Sequence, residues 1–303
     1  MCGIAGFFNN SSSKEESQSK ITNMINSISH RGPDSVGVVI GNKYCCATAR
    51  LSIEKIKEGY QPLITNNKKY IFSFNGEIFN YKEIIKKYSF KKKINSEIKL
   101  LSELFFLKGE SFINEIKGQF AISIYDVKQE KLFLYRDRFG IRPLFYKKNK
   151  HAFVYASEIK SISAYDNSIL ETSNISIAST SLFWTNINDL TSFEDVYQLP
   201  PGHYLQFSNN QIKIKRYWVN SLADQNQKQE KIDFVEVLKK SIQNQLHGEV
   251  GYSSYLSGGI DSSVIAYLLT EIQGSPIDTF SIEFENKEYD EGKAQKIMQN
   301  FSV

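Results

Sequence analysis

Cysteine is scarce in this chain: three in 303 residues, at positions 2, 45 and 46. So small and odd a set excludes a disulfide framework and points to a reducing compartment, so the expected location is cytoplasmic. Adjacent strand residues face opposite sides, so Cys45 and Cys46 do not read as a metal pair. No apolar run approaches the roughly 20 residues that a membrane span needs, and no membrane partner is expected. A charged n-region followed by a long apolar stretch is also missing at the start, so no signal peptide is expected there. Charge of one sign is not concentrated: 37 Lys+Arg against 33 Asp+Glu give a net +4. Runs such as Lys91-Lys92-Lys93 and Lys147-Lys148 read as solvated surface rather than as a nucleic-acid footprint. Internal repeats are absent.

What is present divides into two unlike parts. Residues 1–220 carry short apolar or alternating runs separated by Gly, Asn and Asp turns: 36–40, 70–74, 121–125, 131–135, 144–146, 203–207 and 211–215. Helical spacing appears at 18–29, with Ile21, Met24, Ile25 and Ile28 on one face, and again at 95–107. Pro200-Pro201-Gly202 marks a turn between two strands. A polar stretch over 221–231 reads as a linker. Beyond it, Ile232, Val235, Leu238, Ile242 and Leu246 fall at helical spacing. A strand (252–256), a glycine loop, a helix (262–272) and a second strand (278–284) then follow. That order predicts a parallel β-α-β unit over part of 232–303.

Two short segments carry chemistry. The first is the opening, Met1-Cys2-Gly3-Ile4-Ala5-Gly6. Removal of Met1 leaves a residue that holds both a thiol and a free α-amine. The amine titrates at about 7.7–8.0, against roughly 10.4 for lysine, so near neutral pH it can take the thiol proton. Nucleophiles activated in this way are an established catalytic arrangement. The second is Ser257-Gly258-Gly259-Ile260-Asp261-Ser262-Ser263. Lying between strand and helix, it converges backbone N–H groups and a helix N-terminus on an anion. The serines add hydroxyl donors, and Asp261 offers an oxygen ligand for Mg²⁺ bridging phosphates. No Gly-Lys-Ser/Thr follows, so it is not a Walker A loop. Asn75-Gly76, taken alone, reads as a type I′ hairpin turn, and Arg50 as a surface ion pair.

Taken in order, the segments resemble one family, the glutamine-hydrolysing asparagine synthetases. The opening is similar to that family's nucleophile segment. His30-Arg31-Gly32-Pro33-Asp34, Arg50-Leu51-Ser52-Ile53, Asn75-Gly76-Glu77-Ile78-Phe79-Asn80 and Arg136-Asp137-Arg138-Phe139-Gly140-Ile141-Arg142-Pro143-Leu144 follow. Ala156-Ser157-Glu158-Ile159-Lys160, Leu199-Pro200-Pro201-Gly202, the glycine loop, Thr279-Phe280-Ser281-Ile282 and Tyr289-Asp290-Glu291 complete the series. The glycine loop itself resembles the PP-loop of ATP pyrophosphatases. The resemblance implies an α+β fold followed by α/β. Residues 1–220 would be a class II glutaminase, an N-terminal-nucleophile hydrolase with an αββα sandwich. Residues 232–303 would be a truncated PP-loop ATP pyrophosphatase domain.

Roles follow from the same resemblance. Cys2 would attack the side-chain amide of glutamine and form a thioester, with the Asn75 amide and the Gly76 N–H holding the oxyanion. Arg50 would clamp the substrate α-carboxylate, Ile53 would lie beside it, and Glu77 and Asn95 would meet the α-amino end. His30 and Arg31 would order their loop. The released ammonia would meet an aspartate carboxylate adenylated by ATP. Leu256, Ser257, Gly258, Gly259, Asp261, Ser262 and Ile282 would hold ATP and pyrophosphate, with Mg²⁺ on Asp261. A homodimer is compatible with the resemblance.

Departures from the pattern carry their own expectations. Asn95 stands where the family has the aspartate that meets the α-ammonium, so glutamine binding is expected to weaken. Glu283 replaces a glycine near the nucleotide, and Ser253 and Ser254 are unusual for a buried parallel strand. The chain stops at Val303, so only the glutaminase half is expected to be complete. Amidophosphoribosyltransferase and glucosamine-phosphate synthase share the nucleophile segment but lack the glycine loop. A relative that amidates another carboxylate, such as a sugar acid or a peptide, would keep every motif seen here. A weakly active regulatory relative is the third reading.

Overall fold

The computed structural model describes residues 1–9, 13–53, 58–90, 93–220, 233–246, 248, 250–286, 288 and 290–302. The chain forms two compact units, Met1–Ser221 and Leu222–Val303. The linker expected over 221–231, and Ile232 and Tyr289, lie outside the described residues.

In the first unit the strands in chain order are β1 (Gly3–Asn9), β2 (Ser35–Ile40), β3 (Tyr44–Arg50), β4 (Leu63–Ile64), β5 (Tyr70–Ile78), β6 (Gly118–Asp126), β7 (Lys131–Arg136), β8 (Phe145–Lys148), β9 (Ala152–Ala156), β10 (Val196–Gln198), β11 (His203–Ser208) and β12 (Gln211–Arg216). They form two six-stranded sheets, ordered β10-β8-β9-β1-β3-β2 and β12-β11-β7-β6-β5-β4. All the pairings in them are antiparallel. The helices of this unit are α1 (Lys14–Ser27), α2 (Tyr81–Tyr88), α3 (Glu97–Lys108), α4 (Ile159–Ser163) and α5 (Asn174–Phe183).

The period-2 alternation of each strand builds the layers. On β1, Ala5 and Phe7 pack against Ile21, Met24, Ile25 and Ile28 of the α1 segment. Ile4 and Phe8 of the same strand face the second sheet. On β5, Phe72 and Phe74 pack against Ile98, Leu101 and Leu104 of α3, while Ile71 faces the first sheet. The result is a helix–sheet–sheet–helix sandwich, the αββα architecture of N-terminal-nucleophile hydrolases. Cys45 joins the helix side and Cys46 the inter-sheet side, so the two thiols do face opposite ways.

The structure moves several boundaries. Helix α1 begins four residues before the expected 18, because the Ser13 hydroxyl accepts the Glu16 N–H and caps the helix there. The runs at 70–74 and 121–125 extend into nine-residue strands. The hairpin reading of Asn75-Gly76 is wrong: both lie inside β5, paired with Ala121 and Phe120 of β6.

In the second unit, α6 (Phe234–Gln243) is capped by Asp233, and β13 (Ser253–Tyr255) leads through the glycine loop into α7 (Ile260–Gln273), β14 (Asp278–Phe280) and α8 (Gly292–Ser302). β13 and β14 are parallel, with Ser253 opposite Asp278. The expected strand over 278–284 stops at Phe280, which leaves Ile282 outside it and 66% exposed. Ser253 is exposed on this short pair, so the serines occupy no buried parallel strand. A small core joins Ile242, Leu268, Leu269 and Ile277.

Candidate active site

The inner faces of the two sheets align level by level. Tyr44 of β3 stacks on Tyr125 of β6, the partner of Ile71, with ring centroids 4.2 Å apart. Two residues further along each strand the same face repeats, so β3 runs from Tyr44 to Arg50 while β5 runs from Ile71 through Ser73 and Asn75 to Glu77. Gly3 of β1 is opposite Ala49, which brings Cys2 level with Arg50. Cys2, Arg50, Asn75 and Glu77 therefore share the inner face at one end of the sandwich.

The Cys2 thiol donates to the Leu51 carbonyl oxygen at 3.7 Å. Burial pushes this thiol above its ordinary value; the terminal amine and Arg50 pull it down without prevailing. Burial lowers the terminal amine, carried here by Met1, and Arg142 and Arg31 add to that effect. The Cys2 carbonyl oxygen accepts from Arg31 Nε at 3.0 Å. Arg31 Nη1 donates to Glu158 Oε1 at 2.9 Å. Glu158 also meets His30 Nε2 at 2.9 Å and Lys160 Nζ at 3.1 Å. The neighbouring Asp34 carboxylate accepts the Ser52 N–H at 2.7 Å and so orders the turn after Arg50. His30, Arg31 and Asp34 thus organise the loop around Cys2.

Asn75 is 1% exposed, and neither its Oδ1 nor its Nδ2 has a hydrogen-bond partner among the described residues. Orphaned buried amides are rare in proteins. At Gly76 an added Cβ would run into the Gln119 carbonyl oxygen and Phe120 Cα of the paired strand, so only glycine fits. Arg50 is buried, and its guanidinium lies against Gly59, where a Cβ would stand 2.5 Å from Nη2. Ile53 is half-buried. Glu77 is engaged by Arg142 Nη2 at 3.4 Å and by Gln119 Nε2 at 3.3 Å. Asn95 donates through Nδ2 to the Glu58 carboxylate, while its Oδ1 is buried without a partner. Glu97 Oε1 accepts the Ile78 N–H at 2.5 Å.

Sequence reasoning assigned no role to Glu58, Asp137, Arg142 or Glu158. Asp137 is fully buried and accepts N–H groups from Phe120, Phe139, Ile141 and Arg142 at 3.0–3.1 Å. Arg136 donates to the carbonyls of Arg142, Leu199 and Gly140. This buttress sets Arg142 against Glu77. Its residues lay within a recognised motif; Glu58 lay in none.

In the second unit the Ser257 N–H donates to Ser262 Oγ at 3.1 Å, and the two serine hydroxyls are 2.9 Å apart. Gly258 has φ +85°, a conformation that favours glycine, and a Cβ there would meet Ala294. Gly259 precedes the first turn of α7, which carries an exposed Asp261. Leu256 is buried, and its N–H donates to the Phe280 carbonyl at 2.9 Å. Exposed hydroxyls at a 14-residue helix N-terminus fit a phosphate group. Among the described residues no cluster of three metal-ligating side chains occurs. A single carboxylate suits Mg²⁺, which commonly binds through one or two carboxylates plus substrate phosphates.

A family pattern described as glutamine amidotransferase domain matches residues 1–218, and one described as asparagine synthase matches residues 233–301. The chain is 34% identical over 306 residues to asparagine synthetase [glutamine-hydrolyzing] 2 of Bacillus subtilis, covering 93% of this chain and 40% of that protein. It is 29% identical over 328 residues to putative asparagine synthetase [glutamine-hydrolyzing] 2 of Methanocaldococcus jannaschii, covering 99% and 63%. The chain thus spans less than two thirds of the length of either relative. Among solved structures it is similar in fold to the glutamine phosphoribosylpyrophosphate amidotransferase of B. subtilis. The TM-score is 0.53 at 16% identity, over 95% of this chain and 68% of that one.

Proposed function

The chain belongs to the family of the glutamine amidotransferase domain, and on that premise we propose that its first unit hydrolyses glutamine to glutamate and ammonia with Cys2 as nucleophile. The observation that carries this reading is Asn75: a buried, unpartnered amide beside an obligatory glycine, on the same inner face and at the same end as Cys2 and Arg50.

With Met1 removed, the α-amine of Cys2 takes the thiol proton and the sulfur attacks the glutamine amide carbon. Negative charge develops on the amide oxygen, where Asn75 Nδ2 and the Gly76 N–H receive it. Such donors are already in place before charge appears, which is why they lower the barrier. The protonated α-amine then gives its proton to the departing nitrogen. Ammonia leaves, a thioester remains on Cys2, and water releases glutamate by the reverse sequence. Arg50 clamps the α-carboxylate, a task that suits its planar fork better than a lysine. Ile53 packs beside it, and Glu77 and Asn95 meet the α-amino end.

We further propose that the whole protein consumes this ammonia in the ATP-dependent amidation of aspartate to asparagine, acting in the cytoplasm. Ser257, Gly258, Gly259 and Ser262 would hold the phosphates, Leu256 and Ile282 would flank the nucleotide, and Asp261 would hold Mg²⁺. ATP supplies the leaving group that activates the acceptor carboxylate. The test follows AMP and amide product when full-length protein receives glutamine, ATP, Mg²⁺ and either aspartate or another carboxylate. AMP and asparagine with aspartate alone support the reading; an amide formed only from a different carboxylate replaces aspartate as the acceptor.

A further inference from the structure

An α-amino acid carries its carboxylate and its ammonium on one carbon. The cation and the anion that recognise it therefore stand side by side. In this chain the cation is Arg50, whose guanidinium lies against Gly59. The residue before Gly59 is Glu58, one chain step of about 3.8 Å away. Its carboxylate accepts a hydrogen bond from Asn95 Nδ2 on the approach to α3. The acceptor of that amide, Asn95 Oδ1, is buried and has no partner among the described residues.

Among the described residues, two other acids near Cys2 and Arg50 are already bonded to protein groups, and Glu77 can meet the α-amino end only while sharing its carboxylate. Glu97 receives the Ile78 N–H, and Glu77 pairs with Arg142 and Gln119. The hydrogen-bond partner of Glu58 is a neutral amide, which leaves its charge uncompensated by that contact. An ammonium has three donors and no acceptor. Asn95 Oδ1 can accept one of them, and the Glu58 carboxylate supplies the negative charge next to it.

We propose that Glu58, together with Asn95 Oδ1, binds the α-ammonium of glutamine, so that the anion missing at position 95 is provided by the residue next to Gly59. This rests on the glutaminase reading and adds to it a residue that sets substrate specificity. It also changes the expectation for Asn95. An aspartate there would face Glu58 directly, and two like charges in one site cannot both ionise easily. Asn95→Asp alone is therefore expected to leave KM for glutamine unchanged or raised.

The experiment compares kcat/KM for L-glutamine with that for 4-carbamoylbutanoate, which is glutamine without the α-amino group. Wild type is expected to prefer L-glutamine. Glu58→Gln is expected to lose about tenfold of that preference, the difference between a hydrogen bond to a charged partner and one to a neutral partner, with hydrolysis of the desamino substrate unchanged. The double variant Glu58→Gln/Asn95→Asp regains the preference, because one carboxylate is restored to the site. Undiminished preference in Glu58→Gln overturns the assignment. So does an equal fall for both substrates, which would mark Glu58 as merely structural. Release of ammonia from neither substrate by wild type refutes the glutaminase reading, and this assignment falls with it.

Discussion

Arg31 Nε donates to the carbonyl oxygen of Cys2 at 3.0 Å, and the same guanidinium donates to Glu158 Oε1 at 2.9 Å. Cys2 is thus held by its main-chain carbonyl from a turn 29 residues away, a contact that uses neither its thiol nor its nitrogen. Gly3 leaves room for this close approach, since a Cβ there would stand 3.3 Å from Arg31 Cδ and 3.0 Å from Ile28 Cδ1 and press on both side chains.

Such an arrangement has a use only if the amine at position 2 is free. The mature protein is therefore expected to begin at Cys2. Intact-mass measurement of an active preparation checks this, and full activity in protein that retains Met1 contradicts the proton transfer assigned to the Cys2 amine.

The Asn75 side-chain amide has no hydrogen-bond partner among the described residues, so its truncation removes no visible stabilising contact. Asn75→Ala is expected to lower kcat for glutamine about 10²–10³-fold, the usual cost of deleting one oxyanion donor, with KM changed far less. Steady-state ammonia release and a thermal melt measured side by side separate this outcome from unfolding. A variant with unaltered kcat removes Asn75 from the mechanism.

Glu158 gives a pH signature. Burial alone would raise its carboxyl, but hydrogen bonds from Arg31, Lys160 and His30 outweigh burial and hold it from about 4.5 down to about 2. A depressed carboxyl stabilises the fold above its unfolded value and loses that contribution as pH falls toward its folded value. Wild type should exceed Glu158→Gln by about 1–2 kcal/mol above pH ~5, and the two should converge as pH falls toward ~2. Urea unfolding across this range checks it; a constant difference down to low pH contradicts the pairing.

Much of this was legible in the sequence, and the failures have physical causes. The helical face of Ile21, Met24, Ile25 and Ile28 was readable because one side of α1 packs on a sheet. β1, β3 and β9 are buried on both faces, show no alternation and escaped the strand list, whereas the equally buried β6 and β7 were readable as apolar runs. Asn75-Gly76 has the composition of a hairpin turn, yet its pairing to β6 places it mid-strand, where Gly76 lets the Gln119 carbonyl approach. Arg142 and Asp137 were visible as parts of a motif, but their contacts depend on folding over β6 and β5, which no local pattern encodes. Glu58 lies in a charged loop whose composition matches ordinary surface; only its contact with Asn95 distinguishes it.

Cys2 is the proposed nucleophile of glutamine hydrolysis. The direct test is ammonia release from L-glutamine by wild type and by Cys2→Ala, with glutamate measured as the second product. Wild type is expected to release equimolar ammonia and glutamate, and Cys2→Ala of unchanged melting behaviour none above background. Hydrolysis that survives in Cys2→Ala contradicts that role, because another group would then be the nucleophile.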